Sequence, residues 1–423
     1  MTAYWFEDPL IQSLGAIGKS AAIRGLATTF LVPKIYIGDE CLNTVAGAPS
    51  AVWAAIANRC PQKRAFIVTD EGASRYARRV AEVIQFHGFT VQVWDQVKPE
   101  VPLESVQAGA DEATKFAPDV IIGVGGGSAL DSCKAIFSLY ERPDLPDLGA
   151  ISPMTPLNLR KKAILAAIPT TSGTGSECTI ALVASDTVAH RKIPLANPEY
   201  LPDYAILIPA FTVGMPAKLA AGTGFDVLAH ATDCVTSPMT NDFCDPLALR
   251  AIDLVFKWLP RSFADGSDKE ARTKMHIAAT VSGIAFGNGA ASLTHSLGHS
   301  LGHLFNLHHG IAVGIFVPYT LQYYSVISDR YLNICDTLKI TGRTDAIKLK
   351  KLVEKVKALM EEVKIPTNIA GLGISREDMK KNMDMLIKYA MEDPDTFQSP
   401  RSMTKEQCEK LFWYTYEGKD VDF

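Results

Sequence analysis

What this 423-residue chain lacks narrows its possibilities before any motif is read. Its eight cysteines, at 41, 60, 133, 178, 234, 244, 335 and 408, form no C-x-x-C pair. That excludes a thiolate zinc ribbon and a disulfide framework, and it fits a reducing compartment. There is no basic excess: 42 Lys and Arg stand against 46 Asp and Glu, a net charge of -4. Such a balance gives no electrostatic footprint for nucleic acid or an anionic membrane surface. No apolar run approaches the ~18 residues of a membrane span. The opening stretch, "MTAYWFEDPLIQSLGAIGKS", lacks a basic segment followed by an apolar one, so a cytoplasmic protein is expected. Also missing is H-E-x-x-H, the pattern that would place a general base beside metal ligands in a hydrolase. Internal repeats and low-complexity tracts are not evident. The one basic cluster, "KLKKLVEKVK" (348–357), has apolar residues between its lysines and reads as the solvated face of a helix.

A chain this long exceeds one compact core, and 47% hydrophobic residues suffice for two. The first half alternates β-rich runs with amphipathic segments. The runs are "KIYIG" (34–38), "RAFIVTD" (64–70), "TVQVWD" (90–95), "DVIIGVG" (119–125), "KAILAAIPT" (162–170) and "YAILIP" (204–209). Between them, segments such as "ASRYARRVAEVIQFHG" repeat apolar residues at helical spacing. This alternation predicts a parallel sheet covered on both faces. From Met215 to Gly418 helical patterns take over. The expected division is an α/β unit over residues 1–210 and an all-helical unit over 211–423.

Two glycine-rich loops follow predicted strands. In "GVGGGSALDSCKA" (123–135), three consecutive glycines open a helix, letting backbone N–H groups and the helix's positive end approach a pyrophosphate. It departs from the usual G-x-G-x-x-G fingerprint, because Ser128 stands at the third glycine. Asp70 is placed upstream, ending "RAFIVTD". There it can accept both ribose hydroxyls and repel a 2′-phosphate, or simply cap the next helix. The hydroxyls of "PTTSGTGSECT" (169–179) suit a second wall around phosphate or ribose.

Five of the nine histidines crowd into "LTHSLGHSLGHLFNLHHG" (293–310). His295 and His299 are four residues apart, and His303 extends the stripe. Upstream, "GFDVLAHATD" (224–233) places Asp226 and His230 at the same spacing, on one face of a helix. One carboxylate with several imidazoles suits Fe(II) or Zn(II).

"GGGSALD", "IPTTSGTGSE", "GFDVLAH" and "LTHSLGHSLGHLFNLHHG", in this order, resemble the iron-dependent (group III) alcohol dehydrogenases from about Tyr36 to Tyr416. The resemblance implies a Rossmann-like N-terminal domain with a parallel sheet and an all-helical C-terminal domain. Coenzyme and substrate would meet between them. It implies metal ligands at Asp226, His230, His295 and His309, with His299 near nicotinamide and substrate as a proton carrier. Coenzyme contacts fall on Asp70, Gly126, Gly127, Ser128, Asp131, Thr170, Thr171, Thr174 and Thr179, and Val183 and Lys192 line the cleft. The implied activity is hydride transfer between NAD(H) and a small primary alcohol or aldehyde, with a divalent metal polarising the oxygen. A homodimer or larger assembly is also implied. Departures are His308 where the family has Pro, His303 where a small residue is common, and Asp233 where many members have Glu. His308 is therefore a competitor of His309 for the metal. The alternatives are a reductase of carboxylate- or sulfonate-bearing aldehydes, a zinc polyol dehydrogenase, a dehydroquinate-synthase-like lyase, a metallohydrolase and a non-catalytic metal binder.

Overall fold

The computed structural model describes Tyr4, Pro9 and residues 29–44, 51–145, 148–187 and 191–423. The reading of the first 20 residues as lacking a leader lies outside these, apart from Tyr4 and Pro9. Among the described residues, Tyr4 and Leu31–Val213 form one compact unit, and Pro9, residues 29–30 and Gly214–Phe423 form the other.

Among the described residues the N-terminal unit has eight strands: β1 (Lys34–Ile37), β2 (Arg64–Thr69), β3 (Thr90–Trp94), β4 (Val120–Gly125), β5 (Ile164–Pro169), β6 (Ala181–Asp186), β7 (Arg191–Ala196) and β8 (Tyr204–Leu207). Six form one sheet in the order β1-β8-β5-β4-β2-β3, and every neighbouring pair is parallel. Helices α1 (Ala51–Ala57) and α2 (Ser74–Phe86) supply one apolar layer, with Ala65, Ile67, Val120, Ile122 and Ile168. Helices α3 (Leu103–Phe116) and α4 (Gly127–Glu141) supply the other, with Phe66, Val68, Ile121 and Leu165. Adjacent strand residues thus point into opposite layers, which is why the central strands read as unbroken apolar runs.

The sequence patterns anticipate all six strands of this sheet. They miss the antiparallel hairpin of β6 and β7, which pairs Val183 with Pro194 and Ser185 with Lys192. Proline inside a strand argues against a central position, and here it sits in a two-stranded ribbon where a missing N–H is tolerated.

Three carboxylates brace the turns of this unit. Asp119 accepts from the N–H groups of Gln62, Lys63 and Arg64, Glu141 from those of Lys161, Lys162 and Ala163, and Glu199 from those of Leu157, Asn158 and Leu159. Each satisfies three successive backbone donors that a turn would otherwise leave unpaired.

Every element of the second unit among the described residues is helical: α5 (Ala217–Thr236), α6 (Cys244–Ala264), α7 (Lys269–Gly289), α8 (Leu293–Phe305), α9 (His309–Gly314), α10 (Val317–Ser325), α11 (Tyr331–Thr337), α12 (Asp345–Glu362), α13 (Arg376–Glu392), α14 (Pro394–Phe397) and α15 (Lys405–Glu417), with one 3-10 turn. Helix α5 is its axis, buried at all but its first few residues. Helix α12 carries the lysine-rich stretch and buries Leu352, Val353 and Val356, as its apolar spacing predicts. All eight cysteines are buried and form no disulfide. Among the described residues no helix is long and apolar enough to cross a membrane.

Candidate metal centre and coenzyme loops

In the helical unit, α5 holds Asp226 and His230 one turn apart, and α8 presents His295. One donor atom from each of these three residues lies within 4.8 Å of the others. Asp226 Oδ1 stands 3.8 Å from His230 Nδ1, 3.9 Å from His295 Nε2 and 3.2 Å from His309 Nε2. Asp226, His230 and His295 are at most 5% exposed. His309, on α9, is at the rim with its side chain 36% exposed.

Getting His309 back to Asp226 takes a reversal and a close approach. Asn306 ends α8 in the left-handed region at φ 49°, and α9 then starts at His309. At Gly310 a Cβ would lie 2.1 Å from the carbonyl oxygen of Gly222 on α5, so only glycine lets the two helices meet there. Imidazole nitrogens of His230, His295 and His309 lie within 4.0 Å of Asp226 Oδ1, and among the described residues none of His308 does. The His308 ring instead fills the space over Gly222.

Three buried atoms face one another without a hydrogen-bond partner: Asp226 Oδ1, His230 Nδ1 and His295 Nε2. Buried polar atoms are nearly always paired, so three orphaned donors converging on one point fit a bound cation. Donors about 2.1 Å from a cation stand about 3.0–3.9 Å apart for angles of about 90–135°. The observed separations of 3.2, 3.8 and 3.9 Å fit that range. Burial raises the Asp226 carboxyl, but the imidazoles of His230, His309 and His295 outweigh it and hold the group well below the usual carboxylate range. Burial holds His230 well below the usual imidazole range. Ionised carboxylate and neutral imidazole are the forms that bind a divalent cation.

The rings are braced from outside. His230 stacks on Phe286, with centroids 3.9 Å apart and planes within 7°. His295 Nδ1 lies 2.9 Å from Asp233 Oδ2, leaving Nε2 turned towards Asp226. Asp233 is fully buried and also accepts from Ser292 N–H and the Thr294 hydroxyl. Burial lowers His295, but Asp233 more than compensates, and its pKa is raised. A carboxylate behind a metal-binding histidine sets its tautomer and raises its basicity. Sequence reasoning noted Asp233 only as a departure from Glu and missed this contact. The signal was available, since Asp233 lies three residues after His230 on the same helix face.

His299, one turn after His295, does not join the three-residue group. Its Nδ1 is 2.9 Å from Asp393 Oδ2 and 3.9 Å from Asp395 Oδ2, and its ring stacks on His309 at 5.2 Å. Burial lowers the His299 pKa, partly offset by Asp393. His303 sits edge-on to Tyr389.

In the N-terminal unit the expected coenzyme residues gather at the carboxyl ends of β2, β4 and β5. Asp70 Oδ1 accepts from Ala73 N–H at 2.9 Å, the helix-capping role. Its Oδ2 faces Gly125, where a Cβ would come within 3.0 Å of it. Gly126 is beside Thr171, and Gly127 beside Thr174, so the two loops pack on each other. Thr170 N–H donates to Gly125 O. Ser128 lies in the first turn of α4.

Other expected contacts are committed inside the protein. Asp131 accepts from the Ser176 hydroxyl at 2.7 Å and from Val183 N–H at 2.9 Å. Thr179 is 3% exposed, and both its carbonyl and hydroxyl oxygens accept from Lys134 Nζ. Lys192 Nζ pairs with Glu100 at 3.6 Å. Lys134, not singled out from the sequence, also donates to Ser176 Oγ and Ala181 O. Burial pushes its ammonium down to about 8 against the pull of Asp131 and Glu177. It fastens the hydroxyl-rich loop to α4.

Family models match most of the chain in two pieces, "Iron-containing alcohol dehydrogenase" over 34–209 and "Fe-containing alcohol dehydrogenase family, C-terminal" over 220–416. The NADPH-dependent butanol dehydrogenase of Clostridium saccharobutylicum is 34% identical over 365 residues, covering 85% of this chain and 94% of that one. The chain belongs to the iron-containing alcohol dehydrogenase family. It is an oxidoreductase of that type. The bifunctional aldehyde-alcohol dehydrogenase AdhE of Escherichia coli is 33% identical over 391 residues, and this chain spans only 43% of its length. Among solved structures, the alcohol dehydrogenase from Oenococcus oeni is 26% identical with a TM-score of 0.84, over 92% of this chain and all of that one. This iron-containing alcohol dehydrogenase therefore has the two-part fold expected from its sequence.

Proposed function

We propose that this protein interconverts a small primary alcohol and its aldehyde, using NAD(H) and a divalent metal held by Asp226, His230, His295 and His309. The observation that carries the reading is the convergence of three orphaned buried donors on one point, a carboxylate oxygen and two imidazole nitrogens. Iron(II) is the metal that goes with the family, and zinc fits the same ligands. When bound, the cation polarises the substrate oxygen, which favours loss of the hydroxyl proton in one direction and hydride attack on carbonyl carbon in the other.

The chain's own residues do the rest. Asp233 holds His295 in the tautomer that offers Nε2, and Phe286 fixes the plane of His230. His299, neutral because burial lowers its pKa, takes up the hydroxyl proton during alcohol oxidation. In the N-terminal unit, residues 125–128 and 170–174 cradle the pyrophosphate, with Asp70 on the adenosine ribose. The Clostridium relative uses NADPH, so coenzyme choice varies within the family. Asp70 supports NAD(H) here, because a 2′-phosphate would meet its negative charge. A cytoplasmic location and a homodimeric or larger assembly complete the proposal.

The test is absorbance at 340 nm with NADH and a panel of neutral and acidic aldehydes, before and after chelation and metal replacement. Turnover of neutral aldehydes, lost with chelator and restored by Fe(II) or Zn(II), is expected. Preference for carboxylate- or sulfonate-bearing aldehydes would move the assignment to an anionic substrate. No dinucleotide turnover with any carbonyl compound would overturn it.

A further inference from the structure

The carboxylate of Asp393 has two different partners. Oδ2 meets His299 Nδ1 at 2.9 Å, and Oδ1 accepts from the N–H of Asp395 at 2.9 Å, capping α14. The cap assigns one oxygen to a backbone donor and leaves the other for the imidazole. An ionised carboxylate only accepts, so the contact requires a proton on His299 Nδ1. In the neutral ring the proton is then absent from Nε2, which becomes the acceptor nitrogen. Turning the ring over would place a carbon against Asp393 and forfeit the bond. The stack of His299 on His309, 5.2 Å apart with planes within 25°, holds the ring from another side.

We propose that Asp393 is a positioning residue: it fixes His299 in the Nδ1–H tautomer so that Nε2 accepts the substrate's hydroxyl proton. This deepens the dehydrogenase reading and rests on it. In alcohol oxidation the O–H bond breaks and its proton forms an N–H bond at His299 Nε2. The carbinol C–H bond breaks with its electron pair, which passes as hydride to the oxidised nicotinamide. The imidazolium so formed carries protons on both nitrogens and faces the negative Asp393, and it returns one proton to solvent. The arrangement joins residues 94 positions apart in the chain. Asp393 lies between α13 and α14, so the junction of two helices is what aims the histidine.

The decisive substitution is Asp393→Asn. The Asp395 N–H still needs an acceptor, so the amide oxygen of the new side chain takes the cap and its NH2 group points at His299 Nδ1. Two donors cannot share that contact, Asp395 Oδ2 at 3.9 Å lies beyond hydrogen-bond reach of the same nitrogen, and the ring changes to the Nε2–H tautomer. In zinc-loaded protein labelled with 15N-histidine, and assigned with His299→Gln, the wild type should show a protonated Nδ1 and a bare Nε2. Asp393→Asn should exchange the two signals. Its kcat for alcohol oxidation should fall about 10²-fold or more, with metal content and KM little changed. Asp393→Ser keeps a capping oxygen but cannot reach the ring. It should give a mixture of tautomers and a smaller loss, which guards against misfolding of the first variant. A wild-type ring found as Nε2–H would overturn the inference. So would an Asp393→Asn variant with unchanged tautomer, or with an exchanged tautomer and normal kcat. Absence of turnover in the wild type would instead overturn the dehydrogenase reading, and the NMR result would separate the two failures.

Discussion

The two candidate sites of this protein differ in how their buried polar atoms are satisfied. Around the glycine- and hydroxyl-rich loops the polar groups bond to one another: Lys134 to Ser176, Thr179 and Ala181, and Asp131 to Ser176 and Val183. In the helical unit, Asp226 Oδ1, His230 Nδ1 and His295 Nε2 converge without a hydrogen-bond partner in the protein. The first is a scaffold whose polar groups are already paired, with Gly126 and Gly127 packed against Thr171 and Thr174. The second is a set of donors whose electrostatics demand a guest. Removing a side chain should therefore act differently in the two places, through metal content in one and through coenzyme binding in the other.

The largest effect is expected at the metal. His309→Ala should lower bound metal and abolish turnover, measured by metal analysis and NADH oxidation on the same sample. Full metal occupancy in that variant would transfer the role to His308. Next comes His299→Ala, with a loss of about 10²–10⁴-fold. Burial lowers the His299 pKa from the usual imidazole value, so the ring is neutral near neutral pH and becomes protonated as pH falls through the lowered value. Oxidation needs the neutral ring, and the wild-type rate should rise with pH across the acid range. The variant should lack that acid limb, and an unchanged pH–rate profile would leave His299 a packing role only.

A smaller loss is expected behind the metal. Asp233→Ala removes the partner of His295 Nδ1 and should weaken metal affinity about 10–100-fold, read by competition with a chromogenic chelator. Unchanged affinity would reduce Asp233 to a brace for Ser292 and Thr294. The smallest change is expected in the N-terminal unit. Asp70→Gly removes the charge beside Gly125 and should improve NADPH use relative to NADH about tenfold, since about 1.4 kcal/mol separates tenfold preferences. No shift in the kcat/KM ratio would assign Asp70 to helix capping alone, through the Ala73 contact it already makes.

How much of this was legible from residues alone follows from the range of each interaction. The six parallel strands are apolar runs, and period and length suffice to find them. The β6–β7 hairpin escaped because Pro194 and the small residues of "ALVASD" do not look like a strand. Asp226 with His230, and His295 with His299, are visible because a helix places i and i+4 together. Asp233 was within reach of the same rule. Asp393 was not: it meets His299 through a fold that brings α13 back to α8, and no periodicity encodes that. The bracing carboxylates Asp119, Glu141 and Glu199 were invisible for the same reason, since their partners are backbone N–H groups.

The central claim is a cation at the meeting point of α5, α8 and α9, and anomalous X-ray scattering at the iron or zinc edge of metal-loaded crystals measures it most directly. One strong peak is predicted, within bonding distance of Asp226, His230, His295 and His309. A peak elsewhere, or full loading with none at that point, would contradict it.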